Sequence, residues 1–88
     1  TLDALMNEQG LSAVRLVKID CEGAELDILA GAADLLAGQR ADYLLVEFHP
    51  TFCGAEACAQ ARALVMQAGY LATELDVNHT LFRRPGLL

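Results

Sequence analysis

The chain has 88 residues, of which 55% are hydrophobic, and a formal net charge of −6 at pH 7. Its length allows one domain or part of one, and its acidity excludes the basic surface that nucleic-acid binding requires. No apolar run approaches the roughly 20 residues of a membrane span, so we expect no membrane partner. The apolar content exceeds the roughly 45–50% of typical domains, which predicts that something outside this sequence covers part of the surface.

The first half of the chain predicts a helix, a strand and a second helix. A short amphipathic helix is indicated for Thr1 to Gln9, whose first residue can cap it. Leu16, Val17 and Ile19 make the strand from Val14 to Asp20 largely apolar, as in a strand that is covered on both faces, and Arg15 and Lys18 are the charged exceptions before Asp20. From Ala24 to Ala37 the apolar residues recur with helical spacing, which predicts one helix.

The second half predicts a strand, a loop, a helix and two further strands. In chain order these are Tyr43 to His49, Thr51 to Gly54, Ala55 to Ala68, Tyr70 to Leu75 and Thr80 to Arg84. A strand, a crossover helix and a strand form a βαβ unit, in which the two strands are parallel and the crossover is right-handed. The turn between the last two strands is too short for a crossover, so we expect an antiparallel hairpin. The fold class is therefore α/β.

The three cysteines bear on the cellular compartment. Cys21, Cys53 and Cys58 are odd in number and form no Cys-x-x-Cys pair, which favours free thiols in a reducing cytosol. We therefore expect a cytoplasmic protein.

Acidic and histidine side chains follow the two parallel strands. Asp20 and Glu22 come after the first, and Glu47 and His49 close the second. Ligands bind at the carboxyl ends of strands in open α/β sheets, and strand spacing would place these groups roughly 5–10 Å apart. We predict that they position a hydroxyl group and accept its proton. His49 is the expected general base because its ordinary pKa lies near neutrality, and Asp20 would orient that base or the substrate.

The residues of the first strand end also have other interpretations. Asp20 could cap the following helix, and Glu22 and Glu25 could interact with the helix dipole. A receiver-like domain with Asp20 as phospho-acceptor would need an acidic pair near the start of the chain and a lysine after a late strand. Neither feature is evident, so this reading is the weakest.

The second strand end has alternatives of its own. Glu47 could pair with Lys18 on the neighbouring strand, and His49 could be an ordinary loop residue. A divalent metal held by Asp20, Glu47 and His49 is a further possibility, since carboxylates with an imidazole suit several ions, but we assign no metal here. His79, in the hairpin turn, is expected to be solvated.

Three stretches of the sequence closely resemble the FkbM family of S-adenosylmethionine-dependent methyltransferases. They are Leu16 to Glu25 (LVKIDCEGAE), Leu29 to Ala32 (LAGA) and Val46 to His49 (VEFH). The resemblance covers most of the chain and is strongest from residue 2 to residue 50. Cys21 stands where the family more often shows valine.

The resemblance implies half of a Rossmann-like, three-layer class I methyltransferase sheet, whose last strand inserts antiparallel. It implies S-adenosylmethionine as cofactor and methyl transfer to a hydroxyl of a small molecule or glycan, with Asp20, Glu47 and His49 as catalytic residues and Glu22 as a substrate-binding residue. The glycine-rich cofactor loop and the ribose-binding acid of the parent fold are absent. We therefore expect residues 1–88 to be the C-terminal part of the domain, inactive alone, with the cofactor-binding residues upstream of Thr1.

A non-enzymatic reading competes with this one. If the first half of the domain is missing, the strand from Val14 to Asp20 lies at a sheet edge with unpaired backbone groups, and such edges recruit partners. The chain would then be an interaction or assembly module that forms a homodimer through this edge.

Overall fold

The computed structural model describes residues 1–20 and 23–87 and, of residues 50–53, the backbone alone. The described part contains helices and strands in the predicted alternation. The elements are α1 (Leu2–Glu8), β1 (Val14–Ile19), α2 (Glu25–Ala30), α3 (Ala33–Ala37), β2 (Ala41–Glu47), α4 (Pro50–Gln67), β3 (Leu71–Glu74) and β4 (His79–Arg83). Each described strand ends one or two residues before its predicted end.

The helix predicted for residues 24–37 is two helices, so that prediction is wrong. The chain leaves helical geometry at Gly31 and Ala32. The Asp3 carboxylate accepts hydrogen bonds from the Asp34 N–H at 2.8 Å and the Leu35 N–H at 3.0 Å. A carboxylate from α1 thus satisfies the N–H groups that a new helix start leaves without partners.

The helix after β2 begins earlier than its sequence pattern predicts. α4 starts at Pro50, in the first turn where proline is favoured, and takes up the segment predicted as a loop. Gly54 interrupts it with φ 86° and ψ 159°, a conformation that glycine adopts without steric penalty. The predicted loop is therefore a helical turn followed by a kink.

The sheet has four strands in the order β1-β2-β4-β3. β1 and β2 are parallel, with Leu16 opposite Tyr43, which confirms the predicted βαβ unit. β4 is antiparallel to both β2 and β3, with Leu44 opposite Phe82, which confirms the hairpin. The last strand lies inside the sheet, between two strands that precede it along the chain.

The hydrophobic core lies between one face of this sheet and the helices. Leu44, Val46 and Phe82 are fully buried there, and they form one cluster with helix residues that include Leu29 and Val65. Side chains alternate across a strand, so their neighbours on β1, β2 and β4 point to the opposite face.

The opposite face of the sheet is open in the described part of the chain. Its shallow groove is lined by Arg15, Leu16, Tyr43, Leu45, Leu75 and Leu81, and the Leu16 side chain is 55% exposed. The expectation of three layers, with β1 covered on both faces, is therefore wrong for the described residues, which form two layers.

The helices of the described residues are too short or too polar to cross a membrane.

Candidate active site

The carboxyl ends of β1 and β2 bring three of the predicted site residues together. Asp20 follows β1, Glu47 is the last residue of β2, and His49 lies between β2 and α4. The His49 Nε2 atom is 3.5 Å from an Asp20 oxygen and 3.5 Å from a Glu47 oxygen. These distances are shorter than the roughly 5–10 Å that the spacing of the strands predicted. Glu22, the fourth predicted residue, lies outside the described residues.

The other ring nitrogen of His49 contacts Glu25, for which the sequence suggested only an interaction with the helix dipole. The Glu25 carboxylate, on the first residue of α2, is hydrogen-bonded to His49 Nδ1. An ionised carboxylate can only accept a hydrogen bond, so with Glu25 ionised this contact favours the tautomer that carries its proton on Nδ1. The structure therefore places Glu25, and not Asp20, at this nitrogen of His49. Asp20 does not cap α2 either, because Ala24 occupies the N-cap position.

Glu25 is buried to an unusual degree for a carboxylate. Its side chain is 1% exposed, and its second oxygen has no hydrogen-bond partner among the described residues. Burial of a charged group is unfavourable unless it is paired, so the contact with the His49 ring carries much of the compensation.

The surroundings of His49 raise the pKa of its imidazole above the ordinary value of 6.5. The largest cause is the hydrogen bond to Glu25. Partial burial opposes it, and the negative charges of Glu25, Glu47 and Asp20 add to it. The geometry thus strengthens His49 as a base.

His79 lies at the edge of this cluster and begins β4, so its expected place in the turn is wrong, although its side chain stays partly solvated. It is the first residue of β4, and its side chain is 33% exposed. Its Nδ1 atom is 2.9 Å from an Asp76 oxygen, and its Nε2 atom is 3.5 Å from Glu47. The hydrogen bond that His79 makes to the Asp76 carboxylate is the main cause that raises the pKa of His79.

Glu47 consequently lies between two imidazoles and not beside Lys18. Lys18 is opposite Leu45 in the sheet, and the ion pairs of Glu47 in the described part are with His49 and His79. No lysine or arginine of the described residues forms an ion pair with Asp20, Glu25 or Glu47. The site is therefore rich in carboxylates, with histidines as the partners that can carry positive charge.

The fold and the site together define a small α/β domain with an acid and histidine cluster at the carboxyl edge of its parallel strands. The family described as Methyltransferase FkbM domain matches residues 1–72. The chain belongs to the FkbM methyltransferase family. No curated protein and no solved structure gives a significant match.

The donor atoms of Asp20, Glu47 and His49 all lie within 4.8 Å of one another. Such a set offers ligand types that several divalent ions accept, although exposed acidic groups commonly gather without one.

A site for the cofactor S-adenosylmethionine needs other features than a metal site. The described residues form no glycine-rich turn from a strand into a helix, the usual cradle of a nucleotide-like cofactor, so we assign none of them to holding the cofactor.

Proposed function

We propose that this chain is the C-terminal part of an S-adenosylmethionine-dependent methyltransferase that methylates a hydroxyl of a small molecule or glycan. Membership of the FkbM family supports a methyltransferase. The observation that carries the choice of a hydroxyl acceptor is the basic Nε2 atom of His49, which faces two carboxylates at the carboxyl edge of the sheet.

The roles of the residues follow from this geometry. His49 Nε2 accepts the proton of the acceptor hydroxyl as its oxygen becomes nucleophilic. Asp20 and Glu47, each 3.5 Å from Nε2, stabilise the imidazolium that forms and hold the hydroxyl in line. Glu22 remains our proposed substrate-binding residue. The bound cofactor supplies the electrophilic methyl group, and cofactor-binding residues are proposed to lie upstream of Thr1.

Activity of the full-length parent protein with radiolabelled S-adenosylmethionine tests this proposal. We expect His49→Ala to lower turnover by about 10²–10⁴-fold, the usual contribution of a general base, and Asp20→Asn to lower it less. Asp27→Asn is a matched control, since Asp27 is an exposed acid on α2 outside the cluster. Wild-type turnover in both site variants would remove these residues from the mechanism.

The chain alone supplies a second test. Since we place the cofactor site upstream of Thr1, calorimetry on residues 1–88 should detect no tight binding of S-adenosylmethionine. Submicromolar binding would contradict that assignment.

A second candidate function is assembly through β1. This strand is at the edge of the sheet, and its residue Leu16 is exposed, so a second copy could extend the sheet there. Sedimentation should then show a concentration-dependent dimer. A monomer with slow hydrogen exchange throughout residues 14–19 would argue against it.

A further inference from the structure

We propose that Glu25 is the positioning residue of this site, which holds His49 with Nδ1 protonated so that Nε2 presents its lone pair to the acceptor. The pairing of the two side chains stands on geometry alone. The consequence for methyl transfer rests on the proposed function.

The two nitrogens of the His49 ring face different surroundings. Nδ1 faces the buried carboxylate of Glu25 on α2. Nε2 faces Asp20 and Glu47, whose side chains are 44% and 25% exposed. A neutral imidazole has one donor nitrogen and one acceptor nitrogen, and the partner of one determines the state of the other. Because the buried partner is a pure acceptor, the basic nitrogen is the one that faces the open edge.

Packing does not explain why residue 25 is a glutamate. Glu25 and Leu29 are one helical turn apart on α2, and both are about 1% exposed. A leucine at position 25 would continue the apolar stripe, and replacing both members of a buried ionic pair with apolar residues of similar volume is often neutral or stabilising. The pair of Glu25 and His49, with one carboxylate oxygen that has no partner among the described residues, is therefore a local disadvantage for folding whose gain lies in the state of His49.

Charged groups reach His49 from each neighbouring element. Asp20 approaches from the end of β1, Glu25 from α2 and Glu47 from the end of β2, with His79 of β4 beyond Glu47. Arg62 on α4 is engaged with Glu74 and Thr80. Glu25 differs from the other acids because it is enclosed and binds Nδ1, so solvent screens its charge least.

Nuclear magnetic resonance of the ¹⁵N-labelled chain tests the pairing without a substrate. Long-range ¹H–¹⁵N correlations distinguish the two tautomers, and a titration from about pH 5 to about pH 9 gives the His49 pKa. In Glu25→Gln the amide oxygen can still accept from Nδ1, so we expect the same tautomer and a pKa that falls toward 6.5. In Glu25→Leu we expect the pKa to fall and the Nε2–H tautomer, which free histidine favours, to appear. Asp27→Asn should change neither.

An unchanged tautomer and titration in Glu25→Leu would overturn the proposal. If that variant does not fold, an unchanged pKa in Glu25→Gln overturns it instead. The parent enzyme gives the functional readout: Glu25→Gln should shift the midpoint of the pH–rate profile to lower pH and lower kcat more than it raises the acceptor KM. If the resonance results hold but the parent transfers no methyl group, the pairing stands and the proposed function fails.

Discussion

Two histidines of the described residues each contact a carboxylate through Nδ1, and these two pairs arise in different ways. Glu25 and His49 are 24 residues apart and meet only because α2 packs beside α4, whose N-cap residue is His49. Asp76 and His79 are three residues apart in one turn. Both histidines are bound through Nδ1 and both have a raised pKa. The first pair is a product of the tertiary fold, whereas the second is a product of local turn chemistry.

The surroundings separate the two pairs further. The Asp76 carboxylate is 58% exposed and also accepts hydrogen bonds from the Asn78 and His79 N–H groups, each at 2.9 Å. This is the usual way in which aspartate stabilises a turn. The Glu25 carboxylate contacts no backbone donor in the described part. We therefore assign a turn-forming role to Asp76 and a role in the site to Glu25.

The sharpest contrast between the pairs should be catalytic. In the parent enzyme we expect His49→Ala to reduce turnover by about 10²–10⁴-fold. His79→Ala should reduce it by less than about tenfold, because His79 is connected to His49 only through Glu47. Steady-state assays with labelled cofactor measure both. Equal losses would show that the two histidines act as one unit.

Removing the whole buried pair and removing the turn carboxylate should change stability in different directions. Glu25→Leu combined with His49→Leu should leave the Tm unchanged or raise it because apolar volume replaces a buried ionic pair, whereas Glu25→Leu alone should lower the Tm because His49 loses its partner. Asp76→Ala should lower the Tm because two turn N–H groups lose their acceptor. Thermal unfolding followed by circular dichroism compares these variants, and a strongly destabilised double variant would refute the argument that packing disfavours this pair.

The pH dependence of unfolding follows from the directions of these pKa shifts. His49 and His79 have raised folded pKa values, so their stabilisation is complete below 6.5 and is lost as pH rises through the folded values. Glu74 and Asp76 have lowered pKa values, so their stabilisation is lost as pH falls below 4.5 and 3.8. Maximum stability is therefore expected between these limits. Denaturant titrations at several pH values measure it, and stability that still rises above pH 7 would contradict the shifts of both histidines.

The smallest effect should be the coupling between the pairs. Glu47 lies between the two imidazoles, so a protonated His79 weakly opposes protonation of His49. His79→Gln should raise the His49 pKa slightly at low salt, and added salt should remove the difference because it screens exposed charges. A lower His49 pKa in His79→Gln would mean that another contact of His79 dominates.

The parts of the structure that local patterns determine could be predicted from the sequence. The parallel strands, the hairpin and the meeting of Asp20, Glu47 and His49 at one edge all follow from periodicity and topology. The break between α2 and α3 could not be predicted in this way, because its cap is Asp3 on a remote helix. Glu25 carried a usable signal: it stands one turn before Leu29, where the apolar stripe of the helix predicts another apolar residue.

The position of β4 has a consequence for how the domain folds. β3 pairs only with β4 in the described sheet, and β4 in turn pairs with β2, which precedes it by a long helix. During synthesis, residues 71–74 therefore have no strand to pair with until residues 79–83 have emerged and docked on β2. Closure of the sheet depends on contacts between distant parts of the chain, which slows folding and leaves the edge of β2 that pairs with β4 open until synthesis of the hairpin is complete.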